Sequence, residues 1–381
     1  MLDKIIFKGY KSFQNTNELE LKPITILFGK NSSGKSAVAK LPTLIEASLS
    51  GEFEEPLRYI NNEIELGAEF RDLFYQRRAQ EQMEIELTTN SSFLKVKINN
   101  SFDKPILTSW EISPNLISGI NDDPNKLMEL TEMMTEKKEL FSGFLLNDNR
   151  KIIKDNISLK TDYIGPFRLN PPRVFHLSGV TEFDSIGIKG ENAYQILVND
   201  EEIAKKVGEW YETNFDGWKL YVNKISPYYE IRIKHNDSKD DGVNIVDVGQ
   251  GMSQALPIVV KAFKKEKRPV LTIMEQPELH LHPAAHGSLA ELLANSSDKE
   301  NKYLIETHSE NFILRLRTMV AENKIDKSSI NLYWVNYDEK TNSSLLKKIN
   351  ISNSGEVDFW PDNVFNESFE EIKALRRAQK K

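Results

Sequence analysis

At 381 residues, 39% of them hydrophobic and 28% charged, the chain is long enough for one large or two modest domains with a real core. The absence of cysteine excludes disulfides, thiolate catalysis and Cys-ligated zinc, and no apolar run approaches the ~18 residues of a membrane span. A net charge of −7 argues against a surface coated for nucleic-acid binding, and Met1-Leu2-Asp3-Lys4-Ile5-Ile6-Phe7 lacks a signal-peptide pattern, so a cytoplasmic protein without membrane partners is expected.

Two short strands are predicted near Lys4–Phe7 and Glu18–Leu21, and the β-branched apolar run Ile24–Phe28 reads as a buried strand. It leads into Gly29-Lys30-Asn31-Ser32-Ser33-Gly34-Lys35-Ser36, which matches G-x-x-x-x-G-K-[ST], and then into a predicted helix over Ser36–Leu41. Glycines let backbone N–H groups turn inward around phosphate oxygens, and the helix N-terminus adds partial positive charge. In such a loop Lys35 reaches the β- and γ-phosphates and the Ser36 hydroxyl ligates Mg²⁺. The plain alternative is a Gly/Ser-rich surface turn; the strand before it and the helix after it argue against that.

Further on, Met83, Ile85 and Leu87 alternate with polar residues, the turn 89–92 follows, and Phe93–Ile98 continues, which is an antiparallel hairpin by period. Helix is predicted in 124–146, where Leu127, Leu130, Met133 and Met134 form a stripe suited to packing. Gly165-Pro166 and Asn170-Pro171-Pro172 punctuate the chain before a predicted helix over Asn192–Trp210 and strands over Trp218–Val222 and Tyr228–Ile233. No internal repeat and no heptad run is found.

The segment Val248–Gln254 carries Gly249 and Gly251, and beyond it Met252, Leu256, Val259, Val260 and Phe263 share one helical face. Pro257 is expected close to the first turn, so the helix is expected to begin at Ser253–Gln254 with both glycines ahead of it. A helix start preceded by glycines is a second anion site. One nucleotide does not need two phosphate cradles, so the second is expected to serve another subunit. Pro269–Met274 reads as a buried strand delivering Glu275, an acid suited to a hard cation. Tyr303–Thr307 is a third such strand and delivers His308, placed to meet a γ-phosphate or an attacking water. His280, His282 and His286 are compatible with zinc, whereas a resemblance to ABC-type ATPase heads implies that the loop carrying the first two faces a partner subunit. Arg376, Arg377, Lys380 and Lys381 read as a solvated helix end.

The order of these segments resembles the ABC-type ATPase heads of the SMC, RecF and overcoming-lysogenization-defect group. Within it the chain looks like the bacterial stand-alone AAA ATPases whose Walker B reads as residues 275–283 do here, Glu275-Gln276-Pro277-Glu278-Leu279-His280-Leu281-His282-Pro283. Phe7–Phe13, Tyr163–Arg168, Gly190–Ala193 and Gly355–Pro361 share the likeness. The resemblance implies ATP and Mg²⁺ as ligands, with Gly29 to Ser36 as Walker A, Ser36 and Glu275 at the metal, and His308 as the switch histidine. It implies that Gly249, Gly251 and Ser253 reach the partner's γ-phosphate across a head-to-tail dimer, and it offers Gln76 as the Q-loop glutamine and Lys11 to Phe13 as neighbours of the nucleotide. Two departures stand out. Gly249 replaces the usual signature serine, and Gln276 replaces the glutamate that orients water, with Glu278 two residues on as the substitute. A neutral amide positions water but takes no proton, so slow or partner-gated hydrolysis is expected.

The expected fold is α/β: an ABC-type P-loop NTPase head, with a mixed or parallel core sheet flanked by helices, an antiparallel β subdomain and a mixed helical insertion. The expected division is 1–81 and 241–381 for the two halves of the head and 82–240 for the insertion. Only 73 residues follow His308, too few for the TOPRIM nuclease domain of the overcoming-lysogenization-defect proteins. The resemblance therefore implies a self-associating ATPase that controls a separate effector, a nuclease, in bacterial anti-phage defence. A largely non-hydrolysing ATP-dependent scaffold and a RecF-like DNA-repair ATPase that contacts nucleic acid remain the alternatives.

Overall fold

The computed structural model describes residues 1–78, 81–101, 104–113, 141–362, 364–365 and 367–379. Its centre is a six-stranded sheet in the order Thr161–Ile164, Val270–Glu275, Asn301–Glu306, Ile24–Phe28, Ile330–Asp338, Ser343–Ile349. The first five strands are parallel and the last is antiparallel to its neighbour. Every residue of Ile24–Phe28 and of Val270–Glu275 is buried, as strands covered on both faces require. Side chains alternate between two cores: Leu27, Leu271, Ile273 and Leu304 enter one, while Ile24, Ile26, Phe28, Met274, Tyr303 and Ile305 enter the other.

The first core also holds the helix Lys35–Ser50 and a five-stranded antiparallel sheet in the order Asn17–Glu20, Lys4–Lys8, Met83–Thr88, Phe93–Ser101, Lys104–Ile112. The predicted hairpin is thus present, but its first strand pairs with Lys4–Lys8 across the boundary expected at 81/82. Thr161–Ile164, from the expected insertion, is likewise an edge strand of the central sheet. The second core takes the helices Gln250–Phe263, Pro283–Ser296 and Glu310–Ala321. Buried Lys261 ties the first of these to the sheet edge, its ammonium 2.8 Å from Asp162 and 2.5 Å from Glu266. A smaller sheet, Trp218–Ile225, Tyr228–His235 and Val243–Asn244, packs beside the helix Glu201–Asn214. Towards the C-terminus, Trp360 stacks on Phe28, the residue just before the glycine loop, with ring centres 5.3 Å apart.

Three expectations are corrected. The helix predicted over Asn192–Trp210 is two, Ala193–Asn199 and Glu201–Asn214, because the Asp200 side chain accepts the Ile203 N–H and starts a new helix. Residues 124–140 lie outside the described residues, and 141–146 form a short hairpin, Phe141–Ser142 with Leu145–Leu146, in place of helix. The helix expected to start at Ser253–Gln254 starts at Gln250, leaving Pro257 in its interior. The carbonyls flanking the one freed by proline find side-chain donors: Met252 accepts from the Tyr211 hydroxyl and Gln254 from Arg168. Among the described residues no helix is long and apolar enough to cross a membrane.

Candidate functional site

The loop Gly29–Gly34 joins the central strand to the N-terminus of the helix Lys35–Ser50. Gly34 caps that helix at φ 101°, and a Cβ there would lie 2.8 Å from Ser12 Oγ and 3.0 Å from the Phe13 ring, so the turn requires glycine. Ser12 and Phe13 thus support the loop from below, whereas Lys11 donates to the Leu66 carbonyl. Lys30, Asn31 and Ser32 form the exposed rim. Lys35 is only 4% exposed, donates to the Lys30 carbonyl at 2.8 Å and lies 3.9 Å from Glu306. Burial holds its pKa below the usual lysine value, opposed by the charge of Glu306.

Parallel register sets Glu275 directly opposite Glu306 at the ends of adjacent strands. Glu306 was not among the residues expected at the site. It is nevertheless the acid that touches the glycine loop: the Ser36 hydroxyl donates to its Oε2 at 2.8 Å. Burial, and then the charge of Glu275, push its pKa up to about 7. The signal was available, since Tyr303-Leu304-Ile305-Glu306 ends in an acid just as the strand carrying Glu275 does. Glu275 itself accepts from the Tyr163 hydroxyl at 2.8 Å and lies 3.8 Å from Lys40.

Past Glu275 the chain turns sharply. Gln276 has φ 47°, and its N–H donates to the Glu306 carbonyl at 2.7 Å. Glu278 is 6% exposed; its Oε1 accepts from the Thr307 hydroxyl and the His308 N–H, both at 2.8 Å, and its Oε2 has no hydrogen-bond partner among the described residues. A cleft of about 410 Å³ runs along Asn31, Gln276, Glu278, His280 and His308. Partial desolvation, and then Lys35, hold the pKa of His308 below the ordinary histidine value, so its ring is neutral at pH 7.

Arg168, 6% exposed, holds this turn. It donates to the carbonyls of Gln276 at 2.8 Å, Glu275 at 3.2 Å and Gln254 at 3.5 Å, joining the turn to the helix Gln250–Phe263. Burial lowers its pKa to about 10, with the charge of Glu278 opposing, and it stays protonated.

Gly249 stands exposed at the start of that helix, and a Cβ there would meet nothing within 4 Å. Gly251 lies inside the first turn, where a Cβ would sit 2.6 Å from the His280 carbonyl oxygen. Gly251→Ala is therefore expected to destabilise the fold by about 1–3 kcal/mol in urea unfolding, while Gly249→Ala stays within about 0.5 kcal/mol; equal effects would contradict this packing. Ser253, expected at the helix start and in reach of a partner's γ-phosphate, is buried within the helix and donates to the Gln250 carbonyl at 3.1 Å. The helix starts three residues earlier than predicted, and that rotates its hydroxyl inward.

Gln76 is exposed at φ 50°; its backbone N–H donates to Lys11 and its side chain to the Tyr75 hydroxyl at 2.8 Å, so it is turned to Tyr75. The three histidines do not converge. His286 spends both ring nitrogens, on Ser309 at 2.7 Å and the Leu281 carbonyl at 3.1 Å, and His282 accepts from the Ala284 N–H. The donor set around Ser36, by contrast, is all oxygen with two carboxylates, and the Ser33 hydroxyl is buried in the loop without a partner. Hard oxygen donors beside a lysine-bearing glycine loop fit a nucleoside triphosphate with Mg²⁺.

Comparison with known proteins agrees. Residues 182–313 match the model of the AAA ATPase domain, and residues 325–375 match that of a protein family of unknown function, DUF3696. The chain is similar to the OLD nuclease of Thermus scotoductus, 23% identical over 81% of this chain and 59% of that one. It is also similar to the Old nuclease of Escherichia phage P2, 22% identical over 81% of this chain and 56% of that one. The chain thus spans less than two thirds of the length of these curated relatives. Among solved structures, an Smc head bound to the C-winged helix domain of ScpA superposes with a TM-score of 0.52 at 15% identity, covering 93% of this chain and 98% of that one. Residues 182–313 are thus similar to an AAA ATPase domain, and the chain has an SMC-head-like α/β fold, with a mostly parallel central sheet and antiparallel sheets beside it.

Proposed function

We propose that the protein binds ATP with Mg²⁺ at the loop Gly29–Ser36, pairs head-to-tail around it, and controls a separate nuclease effector in anti-phage defence. The observation that carries this reading is the convergence, at the ends of three adjacent parallel strands, of Lys35, Ser36, Glu275, Glu306 and His308. Bound Mg²⁺ would screen the phosphate charge, held by Ser36 and Glu275. Lys35 leaves the Lys30 carbonyl for the phosphates, and neutral His308 offers a ring N–H to the γ-phosphate. Glu278 takes the water-activating position that Gln276 does not fill. Dimerisation is supported by exposed Gly249, which stands open at a helix start and is free to meet phosphate from a second chain. The nuclease link rests on the names of the curated relatives.

Lys35→Ala tests the core of this reading. Loss of a charge-assisted contact worth about 1.5–3 kcal/mol is expected to weaken ATP binding about 10- to 100-fold in calorimetric titration. It is also expected to abolish the ATP-dependent increase in mass seen by light scattering. ATP-dependent assembly that survives in the variant rules out the sandwiched-nucleotide dimer. Gln276 favours one alternative, an ATP-dependent scaffold that stores the effector without turnover. Assembly on ATP with no phosphate release from wild type, even with its copurifying partners, selects that alternative.

A further inference from the structure

Two carboxylates close the floor of the phosphate loop, and they are engaged differently. Glu275 is turned to its own neighbours: Oε1 accepts from the Tyr163 hydroxyl at 2.8 Å and faces Lys40 at 3.8 Å. Glu306 is turned to the loop: Oε2 accepts from Ser36 at 2.8 Å, and Oε1 lies 3.9 Å from the Lys35 ammonium. Both are at least 94% buried, and strand register fixes them side by side. In loops of this pattern the serine hydroxyl is the protein's own ligand to Mg²⁺. A hydroxyl that gives its single proton to a carboxylate keeps its lone pairs for a cation. The Ser36–Glu306 pair therefore already has the polarity that a cation needs.

We propose that Glu306 is a carboxylate that holds the nucleotide-bound Mg²⁺ at Ser36, sharing this role with Glu275. This rests on the ATP-binding reading above. It has a consequence with two signs. Without a divalent cation, Glu306 competes with phosphate for Lys35 and repels the incoming anion. With the cation present, the same charge stabilises it. Removing the charge should therefore strengthen metal-free ATP binding and weaken metal binding. A residue that merely packed would move both in one direction.

The test uses Mn²⁺, followed by electron paramagnetic resonance, and ATP, titrated in EDTA and in Mn²⁺. Glu306→Gln is expected to weaken Mn²⁺ binding to the protein–ATP complex about 10- to 100-fold, the range for losing a group that sets a metal site. Its ATP affinity in EDTA should be at or above wild type, and Glu275→Gln should lose less Mn²⁺ affinity. Should Glu306→Gln fail to fold, Glu306→Asp keeps the charge but shortens the reach; it should lose Mn²⁺ affinity with metal-free ATP binding unchanged. Wild-type Mn²⁺ affinity in the folded Glu306 variant overturns the assignment, and so does a parallel fall in both ATP affinities. A wild-type protein that binds ATP in neither buffer overturns the ATP reading and this inference together, whereas normal wild-type binding with an indifferent Glu306 overturns this inference alone.

Discussion

Glu278→Gln is expected to lower ATP hydrolysis by about 10²- to 10⁴-fold, the usual weight of a general base, without destabilising the fold. Glu278 is two residues past the position where a glutamate would orient water, and Gln276 stands in that position. Its Oε1 is spent on Thr307 and His308, which fixes the carboxylate against the strand that carries the histidine. Its Oε2 is buried without a partner and borders the cleft shared with Gln276 and His308. An unpartnered buried carboxylate oxygen is costly, and the proposed water-activating role would account for it. Glutamine preserves the acceptor toward Thr307 and His308 and removes the buried charge, so the midpoint in urea should hold or rise. Gln276→Glu, by adding a second proton acceptor, should raise phosphate release above wild type. Phosphate release that is unchanged in Glu278→Gln removes Glu278 from the mechanism.

Arg168→Ala is expected to cost about 1.5–3 kcal/mol of stability, the range for losing hydrogen bonds made by a charged group. The buried guanidinium donates to the carbonyls of Glu275, Gln276 and Gln254, and its charge faces Glu278. Truncation leaves those acceptors without their donor and opens a void. Arg168→Lys should recover little, because one ammonium cannot span carbonyls on two separate elements. Urea unfolding with an unchanged m-value measures the loss, and a cost below about 1 kcal/mol would place Arg168 among ordinary surface residues. Because Arg168 links the turn after Glu275 to the helix behind Gly249, surviving Arg168→Ala protein should also lose any dependence of phosphate release on assembly.

The glycine loop was legible because its chemistry is local: glycines, lysine and serine at fixed spacing between a buried strand and a helix. The hairpin 83–98 was legible because alternation of period two is a local pattern. At Glu306 the sequence shows a strand ending in an acid but not its partner Ser36, 270 residues away; the contact exists only because the strand Asn301–Glu306 lies between the strands of Phe28 and Glu275. The sequence shows no task for Arg168, since its three acceptors come from two distant segments. A local rule keeps proline near a first turn and so points to a start at Ser253–Gln254, whereas the helix begins at Gln250 and holds Pro257 inside, with Tyr211 and Arg168 donating to the carbonyls on either side of the one that proline leaves free.

The sequence by itself determined the strands of the central sheet, the hairpin 83–98 and a phosphate loop of the kind that holds a nucleotide. Strand and helix periods follow from which residues must be buried, and a phosphate cradle follows from backbone geometry that glycine alone permits. Tertiary structure decided which acids meet the cradle, which hydroxyls face outward and what holds the turn after Glu275. Those choices depend on strand order and register, which bring side chains hundreds of residues apart within hydrogen-bond reach, and no local pattern encodes them.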